Sequence, residues 1–255
     1  ILQRVFHPCL KLRARGHDAD LATTVPQLLD AGLQNNGQVC AAQTRILVPR
    51  EAQDRIVAAC VDHLRSRVVG DPRDPATDIG PLVSARQRDR VAAQVHAAAA
   101  AGAEVVTGGS NGGNGTGYFY APTVVTGAPA ETDLLREETF GPVAPLVPVK
   151  SLDEAIELAN GTRFGLGANV YTKDLDTILR CMRELKAGTI WFNDPLTDND
   201  AGPFGGMKQS GLGRELGQEG LEAFQETKHV HLETSLAPKD WWYPYGSASQ
   251  QATGA

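Results

Sequence analysis

Val143-Ala144-Pro145-Leu146-Val147-Pro148-Val149, followed at once by Ser151-Leu152-Asp153-Glu154, is the junction that decides the fold. The first run is apolar and strand-like. Ser151 then offers a hydroxyl to the free N–H groups of a helix start, with Glu154 three residues on in the capping-box position. The alternation continues in both directions. Downstream, Gly165 to Tyr171 reads as a buried strand, Asp174 to Leu185 as a helix and Thr189 to Phe192 as a strand. Arg214 to Phe224 reads as a helix, and Val230 to Leu232 as part of a final strand. Upstream, Tyr118 to Val125 and Val105-Val106 are strand-like. Ser84 caps a helix that runs through Ala97 to Ala101 and stops at Gly102. Pro49 and Glu51 open a helix with Ile56, Val57, Cys60 and Leu64 on one face. It follows the short strand Ile46-Leu47-Val48 and ends by Gly70-Asp71-Pro72. Asp20 to Leu33 has helical apolar spacing, with Pro26 the discordant residue. Strands alternating with helices of this length build βαβ units, so the expected class is α/β: a doubly wound, mainly parallel sheet with helices on both faces.

Composition agrees. The chain has 255 residues, 42% hydrophobic and 21% charged, enough for a sizeable core and far from a disordered composition. Its 24 basic and 30 acidic residues give a net charge of −6, without a basic block, so nucleic acid is not an expected partner. No apolar run approaches a membrane span, and the first residues lack the order of a signal peptide. Cys9, Cys40, Cys60 and Cys181 are widely spaced with no CxxC pair, which fits a reducing compartment, the cytoplasm. His229 and His231 share a face of the expected last strand but lack a third ligand, so no metal is expected. The glycine-dense stretch 108–117 contains neither GxGxxG nor a phosphate-loop pattern and reads as a plain loop. The tail from Ser235 is rich in Ser, Gln, Gly and Ala, interrupted by Trp241, Trp242, Tyr243 and Tyr245.

The chemistry concentrates in Asn35-Asn36-Gly37-Gln38-Val39-Cys40-Ala41-Ala42. A cysteine after a glycine-containing turn, between a helix and a strand, can expose its thiol and sit beside main-chain N–H groups. A lone cysteine is by itself more often a small core residue. Two further segments shift that balance: Glu137-Glu138-Thr139-Phe140-Gly141-Pro142-Val143, and Pro203-Phe204-Gly205-Gly206-Met207-Lys208-Gln209-Ser210-Gly211-Leu212-Gly213-Arg214-Glu215.

These three segments, in this order, resemble the cysteine, EExFGPV and PFGGxKxSGxGRE motifs of the aldehyde dehydrogenase superfamily. The resemblance runs from about Asp18 to about Leu232 and includes a betaine-aldehyde-like branch among its implied relatives. It implies oxidation of a small aldehyde to a carboxylic acid with NAD or NADP, through a thiohemiacetal and a thioester on Cys40. It also implies that Glu138 holds the nicotinamide-side ribose and Phe140 packs near the nicotinamide. Glu215 would line a proton path, and Asn193 and Phe204 the substrate region. Arg214 and Glu226 would belong to a network at a subunit interface. The strand near Val230 to Leu232 would form a homo-oligomer. The acidic loop Asp194, Asp198 and Asp200 would border the aldehyde entrance and favour a cationic substrate.

The expected organisation is a divergent segment 1–17, a catalytic domain 18–211, a helix and assembly strand over 212–233, and a tail 234–255. Relatives are about twice as long. The preceding half supplies their dinucleotide sheet, an oxyanion-hole Asn and a Glu base in a Glu-Leu-Gly-Gly-Lys segment. Residues 1–15 match that base segment in neither its Glu nor its Gly pair. A catalytically silent domain that keeps fold and assembly surface therefore stands beside the enzyme reading, and a thiol-only acyl transfer stands third.

Overall fold

A computed structural model describes residues 20–112, 117–235, 239 and 241, together with the backbone of 8–11. The strands are β1 (Pro8–Lys11), β2 (Arg45–Pro49), β3 (Glu104–Thr107), β4 (Thr123–Thr126), β5 (Val143–Val149), β6 (Phe164–Gly165), β7 (Gly167–Tyr171), β8 (Thr189–Phe192) and β9 (Met207–Lys208). The helices are α1 (Leu21–Leu33), α2 (Gln53–Arg65), α3 (Ala85–Ala100), α4 (Asp133–Arg136), α5 (Leu152–Asn160), α6 (Leu175–Glu184) and α7 (Gly217–Glu222). Seven strands form one sheet in the order β3-β4-β5-β2-β1-β7-β8, parallel throughout except for β3 against β4. The direction of winding reverses at β1, which is what makes the sheet doubly wound.

Side chains alternate across each strand, and the two faces meet different helices. Ile46, Val48, Val124, Ala144 and Leu146 pack with Val25, Leu28 and Leu29 of α1 and Ile56, Cys60 and Leu64 of α2. On the opposite face, Leu47, Val149, Ala168 and Val170 pack with Ala155, Ile156 and Ala159 of α5 and Cys181 of α6. Val125 and Val143 extend that face against Val91, Val95 and Ala98 of α3. The α/β class with helices on both faces is therefore as expected.

The capping chemistry is legible. The Asp20 carboxylate accepts from the Ala22 N–H at 3.1 Å and from the Thr23 hydroxyl at 2.8 Å, starting α1. Ser84 accepts from the Gln87 N–H, Ser151 from the Glu154 N–H and Asp174 from the Thr177 N–H, each at a helix start. Glu154 reaches back to the Lys150 N–H, one residue before the Ser151 N–H that a capping box uses.

Several expectations are corrected. The segment before Asp18 contributes β1, which lies between β2 and β7 inside the sheet. Gly165 to Tyr171 is two strands: β6 pairs with β9 in a separate ribbon, and β7 joins the main sheet. The strand expected over Tyr118 to Val125 is confined to Thr123–Thr126. The helix expected from Arg214 begins at Gly217, because Glu215 pairs its main chain with Phe204 and Leu216 turns left-handed at φ 60. Among the described residues, 223–235 carry no strand, Val230 to Leu232 included. The aromatic run Trp242, Tyr243 and Tyr245 lies outside the described residues. Contacts divide the chain into two compact units, residues 1–223 and 224–255.

Candidate active site

The site forms where α1 runs out. Asn35 (φ 48, ψ 42), Asn36 (φ 58, ψ 33) and Gly37 (φ 72) are three consecutive left-handed residues. Left-handed backbone costs an ordinary residue about 1–2 kcal/mol, and asparagine tolerates it better than most. Side chains hold this turn from several directions. Asn36 accepts from the Gly80 N–H at 2.9 Å and donates to the Pro81 carbonyl at 3.0 Å. Gln38 accepts from the Val83 N–H at 2.9 Å and donates to the Asn35 carbonyl at 3.2 Å. Gly37 is fixed by contact: a Cβ there would stand 2.1 Å from the Gly141 carbonyl oxygen. The cysteine turn thus lies directly on the Glu138–Val143 segment.

Cys40 and Ala41 occupy the two middle positions of the next turn, closed by the Ala42 N–H donating to the Val39 carbonyl at 3.0 Å. Cys40 is exposed, whereas Cys60 and Cys181 are buried. Although the residue opens to solvent, its sulfur is partly desolvated, and this pushes the thiol above its ordinary value. Hydrogen bonds from the Ala41 and Cys40 main chain pull in the other direction, stabilising a thiolate. The carboxylates of Glu138 and Glu215 add a further upward push. Two main-chain donors and two acids from separate motifs therefore act on one sulfur. After the turn, Arg45 is buried and donates to the Leu158 and Ala159 carbonyls at 3.0 and 3.3 Å, a cation at the C-terminal end of α5. Burial lowers its guanidinium to about 10.

Helix α3 holds Glu138 and Phe140. Gln87 donates to the Thr139 carbonyl at 2.9 Å and the Phe140 carbonyl at 2.8 Å. Arg90 donates to the Glu138 carbonyl, and Gln94 reaches the same oxygen at 3.5 Å. Residues 87, 90 and 94 lie on one helix face. Phe140 is left-handed at φ 54, and the Gln87 bonds hold that turn open. Arg163 pairs with Glu137 and stacks over the Phe164 ring at 4.7 Å. Sequence reasoning did not single out Gln87, Arg90 or Gln94. The signal was a polar stripe at helical spacing inside an alanine-rich helix, with Gln94 buried.

Phe204 and Glu215 arrive together. The Phe204 N–H donates to the Glu215 carbonyl at 2.7 Å, and the Glu215 N–H to the Phe204 carbonyl at 2.8 Å. Arg214 donates to the Gly206 carbonyl at 3.0 Å and the Gly213 carbonyl at 2.7 Å, closing the loop on itself. The structure thus brings Cys40, Glu138 and Glu215 into one electrostatic neighbourhood, with Phe140 two residues after Glu138 and Phe204 paired through its main chain with Glu215.

Asn193 is placed differently. Its amide accepts from the Thr172 N–H at 2.9 Å and donates to the Thr172 carbonyl at 2.8 Å, tying the end of β8 to that of β7. It lines a cavity of about 430 Å³ with residues such as Thr23, Gln27 and Lys173, among which Cys40 does not figure. In the acidic loop, the Asp194 carboxylate accepts from the Thr197 hydroxyl at 2.8 Å, while Asp198 and Asp200 are exposed. Among the described residues no group of acids, histidines and cysteines could hold a metal.

Residues 16–230 match the profile of the Aldehyde dehydrogenase family. The chain belongs to this family. A succinate-semialdehyde dehydrogenase (NADP+) of Mycobacterium avium is 43% identical over 217 residues, covering 85% of this chain and 46% of that enzyme. A succinate-semialdehyde dehydrogenase of Paenarthrobacter nicotinovorans is 39% identical over 215 residues, covering 84% and 48%. Among solved structures, betaine aldehyde dehydrogenase of Staphylococcus aureus in complex with NAD+ superposes with a TM-score of 0.85 at 34% identity, covering 93% of this chain and 47% of that one. A Mycobacterium tuberculosis aldehyde dehydrogenase complexed with NAD+ gives 0.84 at 36%, covering 92% and 48%. This aldehyde dehydrogenase chain spans about half the length of the curated relatives it matches.

Proposed function

We propose that the chain is the catalytic half of an NAD(P)-dependent aldehyde dehydrogenase, with Cys40 as the nucleophile. The observation that carries this reading is the convergence of three separate segments on one exposed thiol. The residues present suit the reactive end of a dinucleotide. Glu138 offers a carboxylate, the right acceptor for a ribose diol, and its main chain is fixed from α3. Phe140 offers an aromatic ring beside it. NAD(P), when bound, supplies the hydride acceptor.

The chain's own residues account for the addition step. The Cys40 sulfur bonds to the aldehyde carbon, and the carbonyl π pair moves to oxygen. The main-chain donors at Cys40 and Ala41, which bear on the sulfur, are the groups we assign to the charge that develops on that oxygen. Because the thiol is raised, a base must take its proton. Glu215, exposed beside it, is the described acid that can pass a proton to solvent. Phe204, joined to Glu215 through paired main chains, is the aromatic residue we assign to the substrate side of the site.

The relatives' names point to oppositely charged aldehydes, since succinate semialdehyde is an anion and betaine aldehyde a cation. Asp194, Asp198 and Asp200 are all exposed, with Asp194 also accepting from the Thr197 hydroxyl, and this solvated acidic loop favours a cation weakly. The domain reading belongs to this proposal: catalytic unit 18–211 with β1 added to its sheet, assembly segment 212–233, and a homo-oligomer in the cytoplasm. Phe224, Val230 and Leu232 are 95%, 75% and 83% exposed, apolar surface of the kind a second copy covers. No helix among the described residues is long and apolar enough to cross a membrane.

The test is NAD(P)H formation with succinic semialdehyde and with betaine aldehyde, using the chain combined with the N-terminal half of a relative. Activity that disappears in Cys40→Ala supports the proposal. Undiminished activity in Cys40→Ala overturns it.

A further inference from the structure

We propose that Asn36 is a positioning residue for the nucleophile: its side-chain amide brackets the Gly80–Pro81 main chain and thereby holds the turn that carries Cys40 and Ala41. The proposal rests on reading Cys40 as the nucleophile.

The geometry is specific. Asn36 accepts from the Gly80 N–H at 2.9 Å and donates to the Pro81 carbonyl at 3.0 Å, so one planar amide uses both ends on neighbouring main-chain groups. The connection spans more than forty residues of chain. Gly80 is anchored on its other side: the Gly70 N–H donates to the Ile79 carbonyl at 3.0 Å, and the Ile79 N–H to the Val68 carbonyl at 3.0 Å. Asp78 in turn accepts from the Val68 N–H at 2.8 Å and pairs with Arg67 at 3.4 Å. The bracket therefore grips a fixed support.

On the cysteine side, the left-handed run transmits the grip. The Gln38 N–H donates to the Asn35 carbonyl at 3.0 Å, and the Ala42 N–H donates to the Val39 carbonyl at 3.0 Å. Two successive turns, 35–38 and 39–42, follow without a break, and the second has Cys40 and Ala41 at its middle. Gly37 bears on Gly141, so that contact and the Asn36 bracket fix the turn from two sides. A simple preference of asparagine for left-handed backbone would explain φ 58, but not an amide that bonds two distant main-chain groups.

Asn36→Gly separates these two roles. Glycine adopts the left-handed conformation freely and carries no amide. The readout is the 255-residue chain alone, with succinic semialdehyde protecting Cys40 from iodoacetamide. The protecting step needs no cofactor: the thiol sulfur bonds to the aldehyde carbon, the π pair goes to oxygen, and the thiol proton ends on that oxygen as a neutral thiohemiacetal. In Asn36→Gly the aldehyde concentration for half-protection is expected to rise at least about tenfold, because the main-chain donors no longer meet the oxygen squarely. The pH midpoint of Cys40 alkylation is expected to fall towards that of an ordinary thiol, as the sulfur leaves its desolvated position beside Glu138 and Glu215.

Gly80→Ala is the control. Its Cβ would make only ordinary contacts, at 3.5 Å to Pro72 and 3.8 Å to Asn36, and both readouts are expected to stay at the wild-type values. If Asn36→Gly fails to fold, Asn36→Asp carries the comparison, since it keeps the acceptor for Gly80 and loses the donor to Pro81. Wild-type protection and an unchanged midpoint in a folded Asn36 variant overturn the proposal. A wild-type Cys40 that is no more reactive than Cys60 and Cys181 overturns the nucleophile reading, and this proposal with it.

Discussion

Replacing Gly37 by alanine tests how the cysteine turn and the Glu138–Val143 segment are joined. Two effects add at this position. Alanine in left-handed backbone costs about 1–2 kcal/mol. The new methyl would also sit 2.1 Å from the Gly141 carbonyl oxygen and 2.5 Å from its carbon, both main-chain atoms that cannot swing aside. Overpacking of this kind costs about 1–3 kcal/mol. The expected loss is therefore about 2–5 kcal/mol, a large share of the roughly 5–15 kcal/mol that holds a domain together. Gly127→Ala isolates the first effect, because Gly127 is also left-handed at φ 66 but has nothing within 4 Å of the added Cβ. The assay is urea unfolding of both variants beside wild type, comparing midpoints at a common slope. Gly37→Ala is expected to lose at least about 1 kcal/mol more than Gly127→Ala, the lower end of the overpacking cost. Equal losses in the two variants would falsify the claim that the two motifs bear on each other through main-chain contact.

Gln87→Leu removes the donor to two carbonyls, one of them on fully buried Thr139, and is expected to destabilise by about 1–3 kcal/mol; a melting temperature equal to wild type would show the bonds to be dispensable. Native iodoacetamide mapping by mass spectrometry is expected to label Cys40 before Cys60 and Cys181, and preferential labelling of either buried thiol contradicts the assignment. The Cys181 thiol is pushed by burial to about 11 from an ordinary 9.0. A raised folded value means stability that is whole below the ordinary value and lost as pH climbs through the folded one, here between about pH 9 and 11. Comparing unfolding of wild type and Cys181→Ala across that window, the alkaline loss is expected to be smaller in the variant, and parallel curves refute it.

The fold was legible where local chemistry and pattern agree. Ser84, Ser151 and Asp174 start their helices through the oxygens that the sequence offers. The sheet was hidden at β1, because its pairings, with β2 and β7, are to segments distant in sequence. Four residues, Pro8–Lys11, are too short a run to announce themselves. The helix boundary at Arg214 was misplaced for a tertiary reason, since pairing of Glu215 with Phe204 outweighs the local helical spacing. In the site, the cysteine, the two acids and the two aromatic residues were visible as motifs. Gln87, Arg90 and Asn36 were not, because what they bond is main chain far away in sequence, and nothing in their own neighbourhood marks it. Asn193 was visible but belongs, in the structure, to a bracket between strand ends.

The distribution of these contacts separates two parts of the chemistry. The groups that fix the thiol come from this half-length chain: Asn36 on Gly80 and Pro81, Gln38 on Val83, Gly37 on Gly141, and Gln87 on Thr139 and Phe140. The main-chain donors that bear on the sulfur, at Cys40 and Ala41, belong to the same turn. For a dinucleotide, by contrast, the proposed function has only Glu138 and Phe140 to offer, a carboxylate and a ring for one ribose and its base. On the proposed reading, the geometry of the nucleophile is built by this half, and hydride acceptance requires a dinucleotide site completed by the other half. The proposed function therefore predicts that addition of an aldehyde to Cys40 and its oxidation are separable steps. The first can be followed on this chain by thiol protection alone, while the second demands a partner half that brings the remainder of the dinucleotide site.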